Sequence, residues 1–397
     1  MLNLTYNYKI LPTSKQIQQI ELNLNVCKSV WNHALYYRKL WHNSRKCEIN
    51  KCSIMSEYVV EPFEYPDYHV QSSQLTIAKK DNAYLQSGNA QAMQQTLRKL
   101  DRAFNDMKSK GMGFPRYKKA MKSFVVIATK KTELIGNRLI GVPLLKELKL
   151  KKSRDIPEGF KIKQIQIIKK ASGYYINLAI QLDVDVPAPV PHGHAVGIDV
   201  GIKSMLATSD GLTIARPKFL DKSLRKIKLL QRKLRNKNAG SHKWHKLQHR
   251  IALLHEAVAN RRKDYHFKLA HQLCDGVGMI FVEDINFTAW SKGIFRKQSL
   301  DMGLGQFMTI LEYVCSQTDT YFSKVNKDYT SQICPVCNTR TGKKELNVRI
   351  HQCSECGYEQ DRDIAAAEVV RNRGLETAVG TPVVKQPSNG VLAGTSV

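Results

Sequence analysis

The sequence predicts an α+β chain of several domains: a small antiparallel barrel interrupted by a helical insertion, then a strand-and-helix domain with acids at its strand ends and a metal knuckle set into it. Three observations predict this. Two Cys-x-x-Cys pairs, Cys334 with Cys337 and Cys353 with Cys356, stand fifteen residues apart. That is the spacing of a four-thiolate zinc site, in which each pair makes a tight turn and the loop brings both around one tetrahedral ion. Two apolar strand-like runs, 195–201 and 278–284, each carry a carboxylate, Asp199 and Glu283. An anion in such a strand is costly to bury unless a cation offsets the lost hydration. Finally, runs of period two lie on both sides of a helical-period region between residues 12 and 110.

Residues 2–11 alternate as a strand, and Pro12-Thr13-Ser14 ends it and offers a helix cap. From Ser14 to about Asn43 the positions Ile17, Ile20, Leu22, Leu24, Val30, Leu35 and Leu40 fall at roughly helical spacing. A second helical region covers Ser72 to Met107, where Met93, Leu97, Leu100 and Phe104 recur every three or four residues. The stretch between them, around Glu57 to Tyr68, is rich in acids and aromatics and carries no legible motif. Gly111 to Lys118 stops the helix because Gly and Pro cannot continue it. Strand-like runs follow at 123–128, 138–142, 162–168 and 173–182, the last two joined as a hairpin through Lys169-Lys170-Ala171-Ser172. Pro187, Pro189 and Pro191 then mark a domain boundary.

The strand bearing Asp199 continues through an Asp210-Gly211 turn into Leu212-Thr213-Ile214, which places Asp199 on the central strand of a sheet. Two helices come next. Leu224, Ile227, Leu230 and Leu234 form the apolar stripe of one, and Leu247, Ile251, Leu254 and Val258 that of the other. Their outer faces carry Arg225, Lys226, Lys228, Arg232, Lys233, Arg235, Lys246 and Arg250 with almost no balancing acids. Such a face suits a nucleic-acid backbone. In Asp361-Arg362-Asp363-Ile364-Ala365-Ala366-Ala367 a carboxylate opens an alanine-rich helix only seven residues after Cys356, so the metal knuckle fixes its mount.

Lys and Arg number 62 against 34 acids, a formal charge of +28 on 397 residues, which favours a polyanionic partner. There is no run of eighteen apolar residues, and Met1 to Tyr8 lack the basic-then-apolar order of a signal peptide. A soluble, intracellular protein with no membrane partner is expected. Nine cysteines, five of them (Cys27, Cys47, Cys52, Cys274, Cys315) without spacing, fit a reducing compartment. Carboxylates gathered at adjacent strand ends repel and raise one another's pKa, a conflict that divalent cations resolve. Hard oxygen ligands with few histidines favour magnesium or manganese, and a two-metal centre activates water and stabilises the leaving oxygen of a phosphodiester.

The order Gly197-Ile198-Asp199-Val200-Gly201, Val282-Glu283-Asp284, Thr330-Ser331-Gln332-Ile333-Cys334, Cys353-Ser354-Glu355-Cys356-Gly357 and Asp361-Arg362-Asp363 before the alanines resembles the TnpB family. These are transposon-encoded RNA-guided DNA endonucleases related to the type V CRISPR effector nucleases. The likeness covers nearly the whole chain, since the N-terminal strand-Pro-Thr segment and Gly113 to Lys118 also match family signatures. It implies a wedge-type β-barrel from 1–11 and 111–185, a helical recognition domain at 12–110 and a linker at 186–194. It further implies a RuvC-like, RNase H-type α/β nuclease domain from 195–331 and 358–377 with basic helices at 222–263 and a zinc ribbon at 332–357. The tail, 378–397, with Pro382, Pro387, Gly390 and Gly394 and no apolar period, is expected to be disordered.

The same resemblance implies catalysis by Asp199, Glu283 and Asp363 holding two Mg²⁺ or Mn²⁺ ions. Asp363 is preferred to Asp361 because the family's metal ligand directly precedes the x-x-Ala-Ala helix. Cys334, Cys337, Cys353 and Cys356 would hold one structural Zn²⁺. Arg349 would help place the cleaved strand, and Arg225, Lys226, Arg232, Lys233, Arg116 and Lys118 would contact nucleic acid. The implied partners are a guide RNA encoded near the transposon end and double-stranded target DNA, met by a monomer in a prokaryotic cytoplasm at the nucleoid. Two rival classes keep much of this scaffold: a nuclease-inactive RNA-guided DNA-binding repressor, and a guide-independent RNase H-type transposase or resolvase. Three positions depart from the family pattern: Ala365 and Val369, where Asn is usual, and Asn338, where Gly is frequent.

Overall fold

The computed structural model describes residues 2–44, 64–345 and 348–379. The chain divides into two compact units, Met1–Val186 and Pro187–Val397, with the division among the linker prolines. Among the described residues no helix is long and apolar enough to cross a membrane.

In the first unit, strand β1 (Leu2–Ile10) leads into helix α1 (Ser14–Ser44). The expected cap is a reciprocal pair: the Gln16 N–H donates to Thr13 Oγ1 at 3.4 Å and the Thr13 N–H to Gln16 Oε1 at 2.9 Å. The single helical region expected over 72–107 is three helices, α2 (Tyr68–Asp81), α3 (Ala83–Gln86) and α4 (Ala90–Lys110). Asn82 and Asn89 break it, because each caps the next helix through its side-chain oxygen. Val26, Val30, Trp31, Ala34 and Leu35 of α1 pack with Met93, Leu97, Leu100 and Phe104 of α4. Arg38 is fully buried beside them. It pairs with Asp101 at 2.9 Å, donates to Gln71 at 3.0 Å and lies 5.1 Å from the Phe104 ring centre.

Strands β2 (Ser123–Ile127), β3 (Glu133–Ile135), β4 (Arg138–Val142), β5 (Lys146–Lys151), β6 (Lys161–Lys170) and β7 (Gly173–Leu182) complete the unit. With β1 they form one antiparallel sheet in the order β2-β6-β7-β1-β5-β4-β3. The closed barrel expected from the sequence is therefore corrected: β2 and β3 are edges, and no ladder joins them among the described residues. The reason lies in β1, which pairs with β7 over nine residues but with β5 only through Lys9 and Ile10. The β3–β5 leaf thus hangs from one end of β1. Tyr8, Phe124, Leu139, Leu148, Ile165 and Ile176 nevertheless share a single core.

The second unit opens with β8 (Ala195–Asp199), β9 (Ser204–Thr208) and β10 (Thr213–Ala215), followed by the basic helices α5 (Asp221–Arg235) and α6 (His242–Cys274). Next come β11 (Met279–Glu283), α7 (Phe287–Trp290), α8 (Arg296–Met302), α9 (Leu304–Gln317) and β12 (Tyr321–Val325). The hairpin β13 (Ile350–Gln352) and β14 (Glu359–Asp361) then runs into α10 (Arg362–Val379). The sheet order is β10-β9-β8-β11-β12, with β8 in the middle as expected for the strand of Asp199. β8, β9 and β10 are antiparallel neighbours, whereas β11 runs parallel to both β8 and β12. The unit is a mixed α/β fold.

Both faces of this sheet are covered, which is why β11 is buried at every position. Val196, Ile198, Ile280 and Val282 pack with residues of α6 and α9. Ala195, Met279, Phe281 and Val325 pack with Val370 of α10. Ala365 and Val369 are buried at 1% and 3% exposure. Residues 380–397 of the expected tail, and 57–63 of the acidic and aromatic stretch, lie outside the described residues.

Candidate active site and metal centre

Strand alternation fixes where the first two acids face. Val282 of β11 stands opposite Ile198 of β8, so Glu283 and Asp199 come next on neighbouring parallel strands. Since Ile198 and Val282 point to the α6 and α9 side, the period of two turns Asp199 and Glu283 to the α10 side. The third acid arrives from there. α10 lies so close to β8 that a Cβ on Gly197 would sit 2.0 Å from the Ala367 carbonyl oxygen.

Asp361 and Asp363 have different tasks. Asp361 Oδ1 accepts the N–H groups of Asp363 at 2.9 Å and Ile364 at 3.4 Å, so it caps α10. Asp363, inside the first turn, is left to approach Ser204 Oγ at 3.5 Å and an Arg349 guanidinium nitrogen at 3.9 Å. The backbone reinforces this link, with the Arg362 N–H donating to the Arg349 carbonyl at 2.7 Å. Glu283 is buried, and its Oε1 accepts the Thr330 hydroxyl at 2.5 Å.

Burial pushes the Asp199 carboxyl well above the usual carboxylate range, and the negative charges of Glu283 and Asp363 push it further; the Val200 N–H and Arg362 only partly oppose them. Burial also raises Glu283, against the Thr330 hydroxyl, Arg373 and Lys327. Three carboxylates facing one side of the sheet, their like charge only partly offset by neighbouring donors and cations, make a donor set suited to a hard divalent cation. Their spacing is looser than that of the cysteines. Among the described residues, the cysteine quartet is the one group of three or more such side chains whose ligand atoms all lie within 4.8 Å of one another.

That quartet fits zinc. Sγ atoms are 3.6 Å apart between Cys334 and Cys356 and 3.5 Å between Cys337 and Cys353. A tetrahedron of thiolates around Zn²⁺ has edges of about 3.8 Å. Each pair sits on a matching turn. The Asn338 N–H donates to the Cys334 carbonyl at 2.9 Å, and the Gly357 N–H to that of Cys353 at 3.0 Å. Asn338 and Gly357 both take the left-handed conformation, at φ 61° and 71°. Asn tolerates this conformation, so the departure from Gly at 338 leaves the turn intact.

Of the remaining expected residues, Arg225, Lys226, Arg232 and Lys233 are exposed along α5. Lys233 joins Lys237, Lys243, Lys246 and Arg250 around a cleft at the α5–α6 turn. In the first unit, Arg116 and Lys118 are exposed on a loop pinned to α1. Trp31 Nε1 donates to the Arg116 carbonyl at 3.1 Å, and Asn32 exchanges two hydrogen bonds with the Lys118 backbone. Sequence reasoning missed Thr330, Ser204, Lys327 and Arg373. Only Thr330 carried a signal, as the first residue of the quoted motif before Cys334.

Three family descriptions match the chain: a "Probable transposase" family over residues 179–292, a "Cas12f1-like, TNB domain" over 305–370 and a "Helix-turn-helix domain" over 1–47. The last falls on β1 and a continuous α1, with no turn between two helices among its described residues. A Streptomyces pristinaespiralis protein named "Putative RNA-guided DNA endonuclease" is 26% identical over 93% of this chain and 89% of its own length. A protein of Escherichia coli (strain K12) named in the same way, with the suffix InsQ, is 24% identical over 98% of both. Among solved structures, the mini-RNA-guided endonuclease CRISPR-Cas_phi3 aligns with a TM-score of 0.44 and 9% identity, over 97% of this chain and 94% of that one, a likeness too low to carry an assignment. The chain resembles the TnpB family from its N-terminal strand to α10.

Proposed function

From that resemblance as premise, we propose that the chain is an RNA-guided DNA endonuclease whose site is Asp199, Glu283 and Asp363. One observation carries the proposal: acids from β8, β11 and α10 face one side of a mixed sheet, and burial raises the first two, Asp199 further through the charges of Glu283 and Asp363. Two Mg²⁺ or Mn²⁺ ions, when bound, would activate water and stabilise the leaving oxygen of a phosphodiester. The three carboxylates would hold them. Ser204 would orient Asp363, and Arg349 would give its guanidinium to the phosphate of the strand being cut. The reading takes the second unit as RuvC-like with an inserted zinc ribbon, and the first as a wedge domain carrying a helical recognition insertion.

In this reading a guide RNA from the transposon end reads sequence by pairing, while the protein reads a short flanking motif and grips heteroduplex shape. The exposed cations of α5, with Arg116 and Lys118, would contact phosphates. The protein would act as a monomer on duplex DNA in the cytoplasm. A repressor without nuclease activity would have no need of all three acids. A guide-independent transposase would have no need of the α1–α4 insertion, and sequencing RNA that copurifies with the protein separates the two.

Replacing Asp199, Glu283 or Asp363 singly with Ala should abolish Mg²⁺-dependent cleavage and leave guide and target binding within a few-fold. Asp361→Ala should keep cleavage while costing about 1 kcal/mol of stability through the lost cap. Cleavage surviving in the Asp363 variant and lost in the Asp361 variant would reverse the assignment.

A further inference from the structure

We infer that Thr330 is a positioning residue for Glu283, and that the first cysteine turn holds it in place. The inference rests on the proposed carboxylate site. Thr330 is 6% exposed, and its hydroxyl lies 2.5 Å from Glu283 Oε1 and 3.3 Å from the Lys327 carbonyl. A hydroxyl has one proton, and the short contact gives it to the carboxylate. This fixes one Glu283 oxygen and with it the rotamer of a side chain that otherwise has three torsions to choose from. The second oxygen is left to serve the cluster.

What keeps Thr330 there is the segment on both sides of it. Tyr329 enters the short 3₁₀ turn Thr330–Gln332 at φ 61°, a left-handed conformation that costs a non-glycine residue energy unless its surroundings impose it. They do impose it. The Gln332 N–H donates to the Tyr329 carbonyl at 2.9 Å, and the Gln332 carbonyl accepts both the N–H and the hydroxyl of Thr341, at 2.8 and 3.1 Å. The Arg340 guanidinium lies 3.8 Å from the Tyr329 ring centre. Arg340 bridges to Ile333, and the Cys334 N–H donates to the Thr339 carbonyl at 3.0 Å. A continuous path of hydrogen bonds and short backbone therefore runs from Cys334 to the Glu283 carboxylate. The second cysteine turn does the same for Asp363 through β14 and the Asp361 cap.

The test uses the purified full-length chain, with Mn²⁺ binding followed by electron paramagnetic resonance and zinc content by mass spectrometry. Thr330→Val keeps the shape and removes the donor; Thr330→Ser keeps the donor. The valine variant should bind Mn²⁺ at least about tenfold more weakly, the usual effect of losing a group that orients a metal ligand. It should retain its zinc, and the serine variant should stay within about threefold of the parent. Parental Mn²⁺ affinity in Thr330→Val, or equal weakening in both variants, overturns the inference. Should the valine methyl disturb the fold, Thr330→Ala offers the second reading. It must weaken Mn²⁺ binding in the parent and add no further loss in a Glu283→Gln chain; a further loss there overturns the inference. Parental Mn²⁺ binding by Glu283→Gln itself would instead overturn the reading of the site.

Discussion

Gly197→Ala tests the contact on which the carboxylate cluster depends. The new Cβ would lie 2.0 Å from the Ala367 carbonyl oxygen and 2.5 Å from the Arg371 backbone nitrogen. Both belong to the backbone of α10 and cannot rotate away. Since Cβ contacts under 3.0 Å are essentially never seen, the helix must retreat from β8 by about 1 Å. Ala367 is one turn beyond Asp363, so the retreat carries that carboxylate away from Asp199 and Glu283. Overpacking of this kind costs roughly 1–3 kcal/mol of stability. A displacement of about 1 Å at a reacting group costs on the order of 100-fold in rate. Turnover of guide-loaded protein on linear DNA at saturating Mg²⁺, read beside thermal unfolding, separates the two effects. Gly293→Ala, whose Cβ meets nothing within 4 Å, is the control. If Gly197→Ala turned over within threefold of that control, the α10–β8 contact would not set the geometry of the site.

Two predictions remain. The purified protein should carry one zinc per chain and Cys353→Ser should lose it, with cleavage collapsing while the first unit keeps its fold, because three thiolates bind far more weakly than four; a zinc-free variant cutting at the parental rate would break the link between metal and active site. Guide affinity should fall steeply with salt, and neutralising Arg225, Arg232 and Lys233 together should reduce the log–log slope by about 3 if each meets a phosphate; an unchanged slope would move the contact away from α5.

The acids were legible where local pattern decides position. Asp199 and Glu283 end short continuous apolar runs, and the cysteine pairs declare their turns by spacing alone. The choice of Asp363 over Asp361 came from resemblance; in the structure Asp361 caps α10 through Oδ1, while Asp363 lies near Ser204 and Arg349. Thr330 escaped because its partner is 47 positions away, and a hydroxyl gives no sequence sign of what it will bond. The open sheet was misread as a barrel for a related reason. Closure depends on whether edge strands meet, and the lysine-rich β5 with the three-residue β3 hardly signal as strands at all. In α9, Leu304, Phe307, Leu311 and Val314 recur at helical spacing, yet the segment lies between motifs and drew no reading. Arg38 is the opposite case. A charge inside an expected apolar stripe gave no hint that Asp101, Gln71 and two rings would receive it.

The order of the carboxylates along the chain has a bearing on how the protein is made. β8 and β11 emerge from the ribosome well before α10, and Asp363 follows Asp199 by 164 positions. At translation rates of about 5–20 residues per second, roughly 10–30 s pass between the first acid and the third. Through that interval the nascent sheet has one face without its covering helix, and Phe281 and Val325 wait for Val370. The third carboxylate joins the other two only once α10 has packed on β8. In the proposed reading, a chain stalled before α10 would carry two of the three acids and the basic helices but lack the third carboxylate, so the site would be complete only after the last helix is made.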